Sequence, residues 1–122
     1  MDDKRSAHPN ALPNYENAII PSDKLEKYAL DPAHPVGRNK AIVFKSALGF
    51  DQSNWQALLQ AIIDELPYNE ATLGRDDEFG QLYTVVIPIT GPNGNTADVV
   101  TGWIFKRGTD YPSLTTAYIT KR

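Results

Sequence analysis

Two stretches with different hydrophobic periods decide the fold: SNWQALLQAIIDELP (residues 53–67) and QLYTVVIPI (residues 81–89). In the first, apolar residues recur three or four positions apart from Trp55 to Leu66, which is the spacing of one face of an α-helix. In the second, they alternate with a period of two, which is typical of a β-strand with one buried face. The change of period predicts a helical part followed by a sheet.

Two further helices are predicted upstream, one over residues 22–30 and one from residue 37 or 38 to residue 48. Pro32 and Pro35 separate them, because the residue before a proline disfavours the α region. Gly49 ends the second helix, since glycine accepts the left-handed backbone of a helix C-terminus. The chain therefore has two to three helices before its strands.

The long third helix is expected to begin at a capping box, Ser53-x-x-Gln56. Asn93-Gly94 predicts a hairpin turn, and Pro88 predicts an edge or a bulge in its strand. The predicted strands are residues 81–89, 99–106 and 114–120, with a short additional strand at 71–73. The predicted fold class is α+β, with two to three N-terminal helices packed on a three- to four-stranded antiparallel sheet.

Length and composition bound the organisation and the chemistry. A chain of 122 residues predicts one domain, here residues 14–122, after a flexible lead-in at residues 1–13. The absence of cysteine excludes disulfides and thiolate chemistry, and two histidines disfavour a transition-metal site. No apolar stretch approaches the roughly 18 residues of a membrane span, so no membrane partner is expected. We predict no cofactor and no metal, and we interpret the acidic run Arg75-Asp76-Asp77-Glu78 as a solvated loop.

The net charge of -3 is distributed unevenly along the chain. Residues 46–78 contain seven acidic side chains and one basic side chain, whereas the segments on either side are slightly basic. A nucleic-acid-binding protein usually has a clear basic excess, so the global charge argues weakly against that class. The acidic segment favours an alternative function, a non-enzymatic antitoxin- or immunity-type domain that binds a basic protein.

The most unusual polar cluster is His34-Pro35-Val36-Gly37-Arg38-Asn39-Lys40, at the turn before the second helix. His34 is a candidate general acid or base. Arg38 and Lys40 are candidates to bind a phosphate and to stabilise charge that develops on it. A metal-independent ribonuclease needs these groups. The structural alternative is that His34 fixes a turn and that both cations lie on a solvated helix face.

The last predicted strand adds hydroxyl and aromatic groups. Alternation places Thr116 and Tyr118 on one face and Thr115 and Ala117 on the other. Trp103, on the neighbouring strand, is a candidate to lie beside the first pair, although its residue type favours a place in the core. The candidate catalytic residues are His34, Lys40, Thr116 and Tyr118, and the candidate substrate-binding residues are Arg38 and Trp103.

The chain also carries the motif His34-Pro35-x-Gly37-x-x-Lys40-Ala41-x-x-Phe44, preceded by Leu12-Pro13-Asn14 and followed by Pro112-x-Leu114-x-Thr116-Ala117-Tyr118. These residues resemble a family of small uncharacterised bacterial domains over nearly all of residues 12–119. Members of that family occur alone and at the C-termini of polymorphic toxins.

The order of elements is similar, more loosely, to ribonuclease toxins of the barnase, EndoU, colicin and RelE architecture, whose sites join basic side chains to hydroxyls and aromatics on a sheet. This similarity implies a toxin module that acts as a metal-independent ribonuclease. The expected partners are RNA and a cognate immunity or antitoxin protein. The expected location is the cytoplasm, or outside the cell as part of a larger secreted toxin.

Overall fold

The computed structural model describes residues 5–120. Helices come first and strands second, which confirms the predicted α+β class. The helices are α1 (Ser22–Lys24), α2 (Arg38–Leu48) and α3 (Trp55–Glu65). The strands are β1 (Ala71–Asp77), β2 (Gly80–Thr90), β3 (Thr96–Lys106) and β4 (Ser113–Ile119), and they form one antiparallel sheet in the order β1-β2-β3-β4.

The first two helices lie where the sequence predicts them. α1 continues as a π-helical turn, Leu25–Ala29, which completes the predicted segment to Leu30. α2 ends at Gly49, whose φ of 86° is the left-handed conformation expected of a C-terminal glycine. Pro32 and Pro35 interrupt the helical conformation between the two helices, so α2 does not continue the axis of α1.

The cap of α3 differs from the predicted Ser53-x-x-Gln56 box. The reciprocal cap is made two residues earlier, by Asp51 and Asn54, at the 3-10 turn that precedes α3. The Asp51 Oδ1 accepts from the Ser53 N–H at 2.9 Å, and the Asn54 Oδ1 accepts from the Asp51 N–H at 2.8 Å. The predicted box is therefore wrong, because a 3-10 turn (Gln52–Asn54) already satisfies these donors before the helix begins.

The helices cover one face of the sheet. Alternate strand residues on β2, β3 and β4 are buried beneath α2 and α3, and the intervening residues remain accessible. This alternation is the pattern of an antiparallel sheet with one packed face. The buried residues at the centre of this interface are Phe44, Leu48, Leu58, Ile62, Val85, Ile87, Val99, Trp103 and Ala117.

The β1–β2 hairpin corrects one prediction and confirms another. β1 is longer than the predicted 71–73, so Arg75, Asp76 and Asp77 belong to an exposed edge strand rather than to a loop. Pro88 lies beyond the paired part of β1, which begins opposite Val85. The prediction of an edge at Pro88 is confirmed, since proline lacks the N–H that a neighbouring strand would use.

A bulge changes the expected faces of β4. Gly102 pairs with Thr116 and Trp103 pairs with Leu114, which leaves Thr115 without a partner. A Cβ at Gly102 would lie 3.0 Å from the Thr115 Oγ1 and 2.9 Å from the Thr116 Cγ2. The two threonines therefore lie on the same side, and the expectation that Thr115 shares a face with Ala117 is wrong.

Residues 5–13 pack against the rest of the fold. The Leu12 side chain is buried in the core. The His8 N–H donates to the Pro67 carbonyl, and the Asn10 carbonyl accepts from the Ala71 N–H. Residues 5–13 therefore belong to the packed domain, and the predicted domain boundary after residue 13 would cut through these contacts. The prediction of a flexible lead-in does not hold for residues 5–13. Residues 1–4 of that lead-in lie outside the described range.

Candidate functional site

His34 shapes the start of α2. Its Nδ1 accepts hydrogen bonds from the backbone N–H groups of Val36 and Gly37, both at 3.0 Å. Its carbonyl accepts from the Arg38 N–H at 3.0 Å. The side chain thereby satisfies donors that a helix start leaves open, as a capping residue does. Because Nδ1 is an acceptor, the neutral ring carries its proton on Nε2 and presents an N–H donor there.

Gly37 allows α2 to approach the π-helical turn closely. A Cβ at this position would lie 2.2 Å from the Tyr28 carbonyl oxygen. Since no side chain fits in that space, glycine is required for the contact rather than for its backbone angles. The contact fixes the distance between Tyr28 and the first turn of α2.

Lys40 lies one helical turn after Gly37 and reaches β4. Its Nζ donates to the Thr116 Oγ1 at 3.1 Å. The same Nζ lies 5.2 Å from the centre of the Tyr28 ring and 5.4 Å from that of the Tyr118 ring, both within cation–π range. The His34 ring lies 4.7 Å from the Tyr28 ring. We name these five residues, Tyr28, His34, Lys40, Thr116 and Tyr118, the Lys40 cluster.

The Lys40 cluster is electropositive. Within residues 5–120, no carboxylate forms an ion pair with the ammonium group of Lys40 or with the guanidinium group of Arg38. An ammonium group has three donors, and Thr116 accepts from one of them. The cluster therefore keeps hydrogen-bond donors for an anion that approaches from solvent.

A pocket of about 410 Å³ opens beside Lys40. Its walls come from the exposed side of α2 and from the end of β4. The lining residues are Asn39, Lys40, Ile42, Val43, Tyr118 and Ile119. The pocket and the Lys40 cluster thus share two residues.

Four of the six predicted site residues come together. His34, Lys40, Thr116 and Tyr118 belong to the Lys40 cluster, although 76 positions separate Lys40 from Thr116. Arg38 lies exposed at the first position of α2. Its backbone N–H donates to the His34 carbonyl, but within residues 5–120 no side-chain hydrogen bond or ion pair joins its guanidinium group to the cluster.

Trp103 does not belong to this site. Its side chain is 0% exposed, and its Nε1 donates to the buried Thr101 Oγ1 at 2.8 Å. It packs on the helix-covered face of the sheet. The prediction that Trp103 contacts substrate is wrong, because a ligand has no access to a fully buried ring. Trp103 instead occupies the core position that was its alternative.

Sequence reasoning missed Tyr28 and Asn39 as site residues. Tyr28 lies outside the polar motif, although its ring contacts both His34 and Lys40. The spacing of the motif was the signal that could have indicated Tyr28. Gly37 and Lys40 lie about one helical turn apart, so they lie on the same side of the helix and face the same neighbour, which is Tyr28.

Acidic residues outside the cluster make their own contacts. The backbone N–H of Phe79 lowers the pKa of Asp77, and the hydrogen bonds from Ser53 lower the pKa of Asp51. Asp76 pairs with Arg107. Among residues 5–120, no three side chains of the His, Cys, Asp or Glu type converge as metal ligands.

The sequence matches a protein family over residues 11–121, a range that includes the whole Lys40 cluster. The chain belongs to the family described as Domain of unknown function (DUF6883). Neither the curated proteins nor the solved structures contain a match to this DUF6883 domain. Within its described residues, none of its helices has both the length and the apolar character needed to cross a membrane.

Proposed function

We propose that this domain is a toxin-type module that binds and cleaves RNA at the Lys40 cluster. The observation that carries the proposal is the position of the Lys40 ammonium group, between two tyrosine rings and beside a threonine hydroxyl, with no carboxylate partner in the described chain. A phosphodiester supplies the missing negative charge, and aromatic rings supply surfaces on which bases stack.

The local electrostatics support a phosphate ligand. Lys40 and Arg38 both lie in the first turn of α2, which contains no acidic residue. The positive end of the helix dipole adds to the two cations there. Basic residues at this end are unfavourable for the helix alone, so an anion at the cluster would offset a cost that the fold otherwise carries.

Cleavage of RNA without a metal forms a bond between the ribose 2′-oxygen and phosphorus and breaks the bond from phosphorus to the 5′-oxygen, which leaves a 2′,3′-cyclic phosphate and a 5′-hydroxyl. In this proposal solvent water takes the 2′-hydroxyl proton, and water returns a proton to the departing 5′-oxygen. Lys40 would stabilise the charge on the phosphoryl oxygens, because it is held at a fixed position before the reaction starts. Thr116 and Tyr118 would position the phosphate and its neighbouring base. His34 would donate a hydrogen bond from its Nε2–H to the phosphate or to the leaving oxygen, and the proton would stay on the ring.

The tautomer of His34 makes the donor role easier than the role of general base. To accept the 2′-hydroxyl proton at Nε2, the ring must first move its own proton to Nδ1. That proton would displace the hydrogen bonds from the Val36 and Gly37 N–H groups. Within this proposal, His34 therefore acts as donor and as the cap of α2 together.

The alternative of an antitoxin or immunity protein remains a prediction from charge. Its acidic segment, residues 46–78, does not form an unpaired acidic face, since four of its seven carboxylates contact basic side chains. These contacts are Asp51 with Lys45, Glu65 with Arg5, Asp76 with Arg107, and Asp77 with Arg75. Pairing reduces the long-range field that would steer a basic partner.

Inducible expression in a bacterial host tests the proposal. Wild-type protein should arrest growth and leave discrete RNA fragments, and Lys40→Met should abolish both. Lys45→Met is the matched control, because it removes an equal charge from the same helix at a side chain that is 72% exposed. Normal growth with intact RNA, at confirmed expression of folded wild-type protein, would reject the proposal in favour of the binding protein.

A further inference from the structure

The pocket beside Lys40 has walls of two chemical kinds. Ile42, Val43, Ile119 and the Tyr118 ring form an apolar surface, and Asn39 and Lys40 are polar. Its volume of about 410 Å³ lies in the range of small-molecule sites, which is roughly 300–1,000 Å³. An apolar cleft with a cation on its wall fits a flat apolar group that is covalently attached to an anion.

Ile42 shows that nothing within the described chain fills the pocket. Its side chain is 54% exposed, although it lies on a helix whose other large apolar residues are mostly buried. Tyr118, on the opposite wall, is 37% exposed. A ring inserted between these two side chains would remove apolar surface from water on both of its faces.

Asn39 gives the pocket a group that can recognise the edge of a base. Its carboxamide makes no hydrogen bond within residues 5–120, so its acceptor and its two donors are available. Asparagine pairs with base edges through this acceptor and donor pair. Lys40, at the next position, would hold the phosphate of the same nucleotide.

We infer that this pocket is a subsite for one unstacked nucleobase of single-stranded RNA, adjacent to the phosphate held by Lys40. The inference rests on the proposed function and specifies its substrate: the base enters between Ile42 and Tyr118, and Asn39 distinguishes among bases. Single-stranded RNA is favoured over double-stranded RNA by this geometry, since a paired base must first be unpaired and unstacked before it can enter a pocket.

Titration by NMR separates the base from the phosphate. The probes are the four ribonucleoside 3′-monophosphates and ribose 5-phosphate, which has a phosphate and a sugar but no base. We expect at least one nucleotide to bind about tenfold more tightly than ribose 5-phosphate, which is the gain typical of stacking one base. The amide shifts should include residues 39–43 of α2 and the end of β4.

Two variants and a control locate the effect. Ile42→Ser should bring the nucleotide affinity down to that of ribose 5-phosphate, while Leu73→Ser, an equivalent change at a side chain that is 65% exposed on β1, should leave the tenfold difference. Asn39→Ala should reduce the differences among the four nucleotides without changing ribose 5-phosphate binding. Thermal unfolding of each variant verifies that it is folded.

The outcomes distinguish the subsite from the proposed function. Equal binding of nucleotides and ribose 5-phosphate, or a tenfold preference that survives Ile42→Ser, overturns the base subsite and leaves a phosphate site at Lys40. Absence of binding by every probe overturns the subsite and the phosphate site together.

Discussion

Lys40 on α2 and Thr116 on β4 are joined by a hydrogen bond of 3.1 Å between Nζ and Oγ1. This bond ties the start of a helix to the edge strand of the sheet, and it places a cation between Tyr28 and Tyr118. The turn that holds Lys40 there is built by His34 and Gly37. The motif from His34 to Lys40 therefore stabilises the turn before α2 and also supplies residues of the candidate site.

His34 has a structural role that substitution can separate from its ring chemistry. His34→Ala leaves the Val36 and Gly37 N–H groups without their acceptor and should lower the free energy of unfolding by about 1 kcal/mol, as loss of a helix cap does. His34→Asn keeps a short acceptor and should recover most of that stability. Urea unfolding measures both variants.

The same pair of variants tests the role of His34 in cleavage. His34→Asn should remain nearly as inactive as His34→Ala, because it lacks the Nε2–H group. Full activity in a folded His34→Asn variant would show that His34 acts only as a cap.

Gly37 should tolerate no side chain. The Cβ of Gly37→Ala would meet the Tyr28 carbonyl oxygen, and a backbone atom cannot rotate away, so we expect a loss of about 1–3 kcal/mol in the free energy of unfolding. Gly37 has φ of -83°, a conformation open to alanine, so the cost is steric. Gly94→Ala is the comparison: no atom lies within 4 Å of its added Cβ, and its cost comes only from a φ of 87°. An unchanged unfolding midpoint for Gly37→Ala would contradict the close contact.

Trp103 should matter for stability and not for catalysis. Thr101→Val removes the hydroxyl that accepts from the Trp103 Nε1 and donates to the Val85 carbonyl, which leaves two buried polar groups unsatisfied. The expected loss is about 1–3 kcal/mol. Trp103→Phe should likewise lower the unfolding midpoint, yet cleavage at a temperature where the variant is folded should stay near the wild-type rate. A specific loss of substrate affinity in folded Trp103→Phe would contradict this assignment and would show that Trp103 contributes to the site.

Two carboxylates should make stability depend on acid pH. The pKa values of Asp51 and Asp77 are lowered from 3.8 in the folded state, mainly by hydrogen bonds from Ser53 and Phe79 respectively. Because each folded pKa lies below the unfolded value, their contribution is present above the unfolded pKa and is lost as the pH falls through the folded pKa. The double variant Asp51→Ala/Asp77→Ala should be less stable near neutral pH and should lose less stability on acidification below about pH 4. Urea midpoints across that range give the comparison, and parallel curves for both proteins would contradict it.

The sequence predicts the elements of this fold better than the contacts among them. Local signals located α2, because apolar spacing and Gly49 define both its face and its end. The cap of α3 was misplaced because Asp51 and Asn54 make the same reciprocal contacts as the expected serine and glutamine. The short strand predicted at residues 71–73 extends to Asp77, since pairing with β2 stabilises residues that have little strand propensity themselves.

The site was predictable in its residue types and not in its geometry. The motif indicated His34 and Lys40 as candidate site residues, and the alternation of the last strand indicated Thr116 and Tyr118. The bulge at Thr115 depends on the register of β3 against β4, which no local pattern records. The buried position of Trp103 follows the alternation of β3, in which Val99 and Thr101 are also buried. Tyr28 was missed because its role arises from packing of the π-helical turn on Gly37, a tertiary contact.

The most direct test of the central claim uses purified protein and a single-stranded DNA oligonucleotide that contains one ribonucleotide, with an all-deoxy oligonucleotide as control. We expect cleavage only on the 3′ side of the ribonucleotide, because the 2′-hydroxyl is the nucleophile, and we expect loss of that cleavage in Lys40→Met but not in Lys45→Met. Cleavage of the all-deoxy strand, cleavage by Lys40→Met at the wild-type rate, or no cleavage of either this substrate or cellular RNA would contradict it.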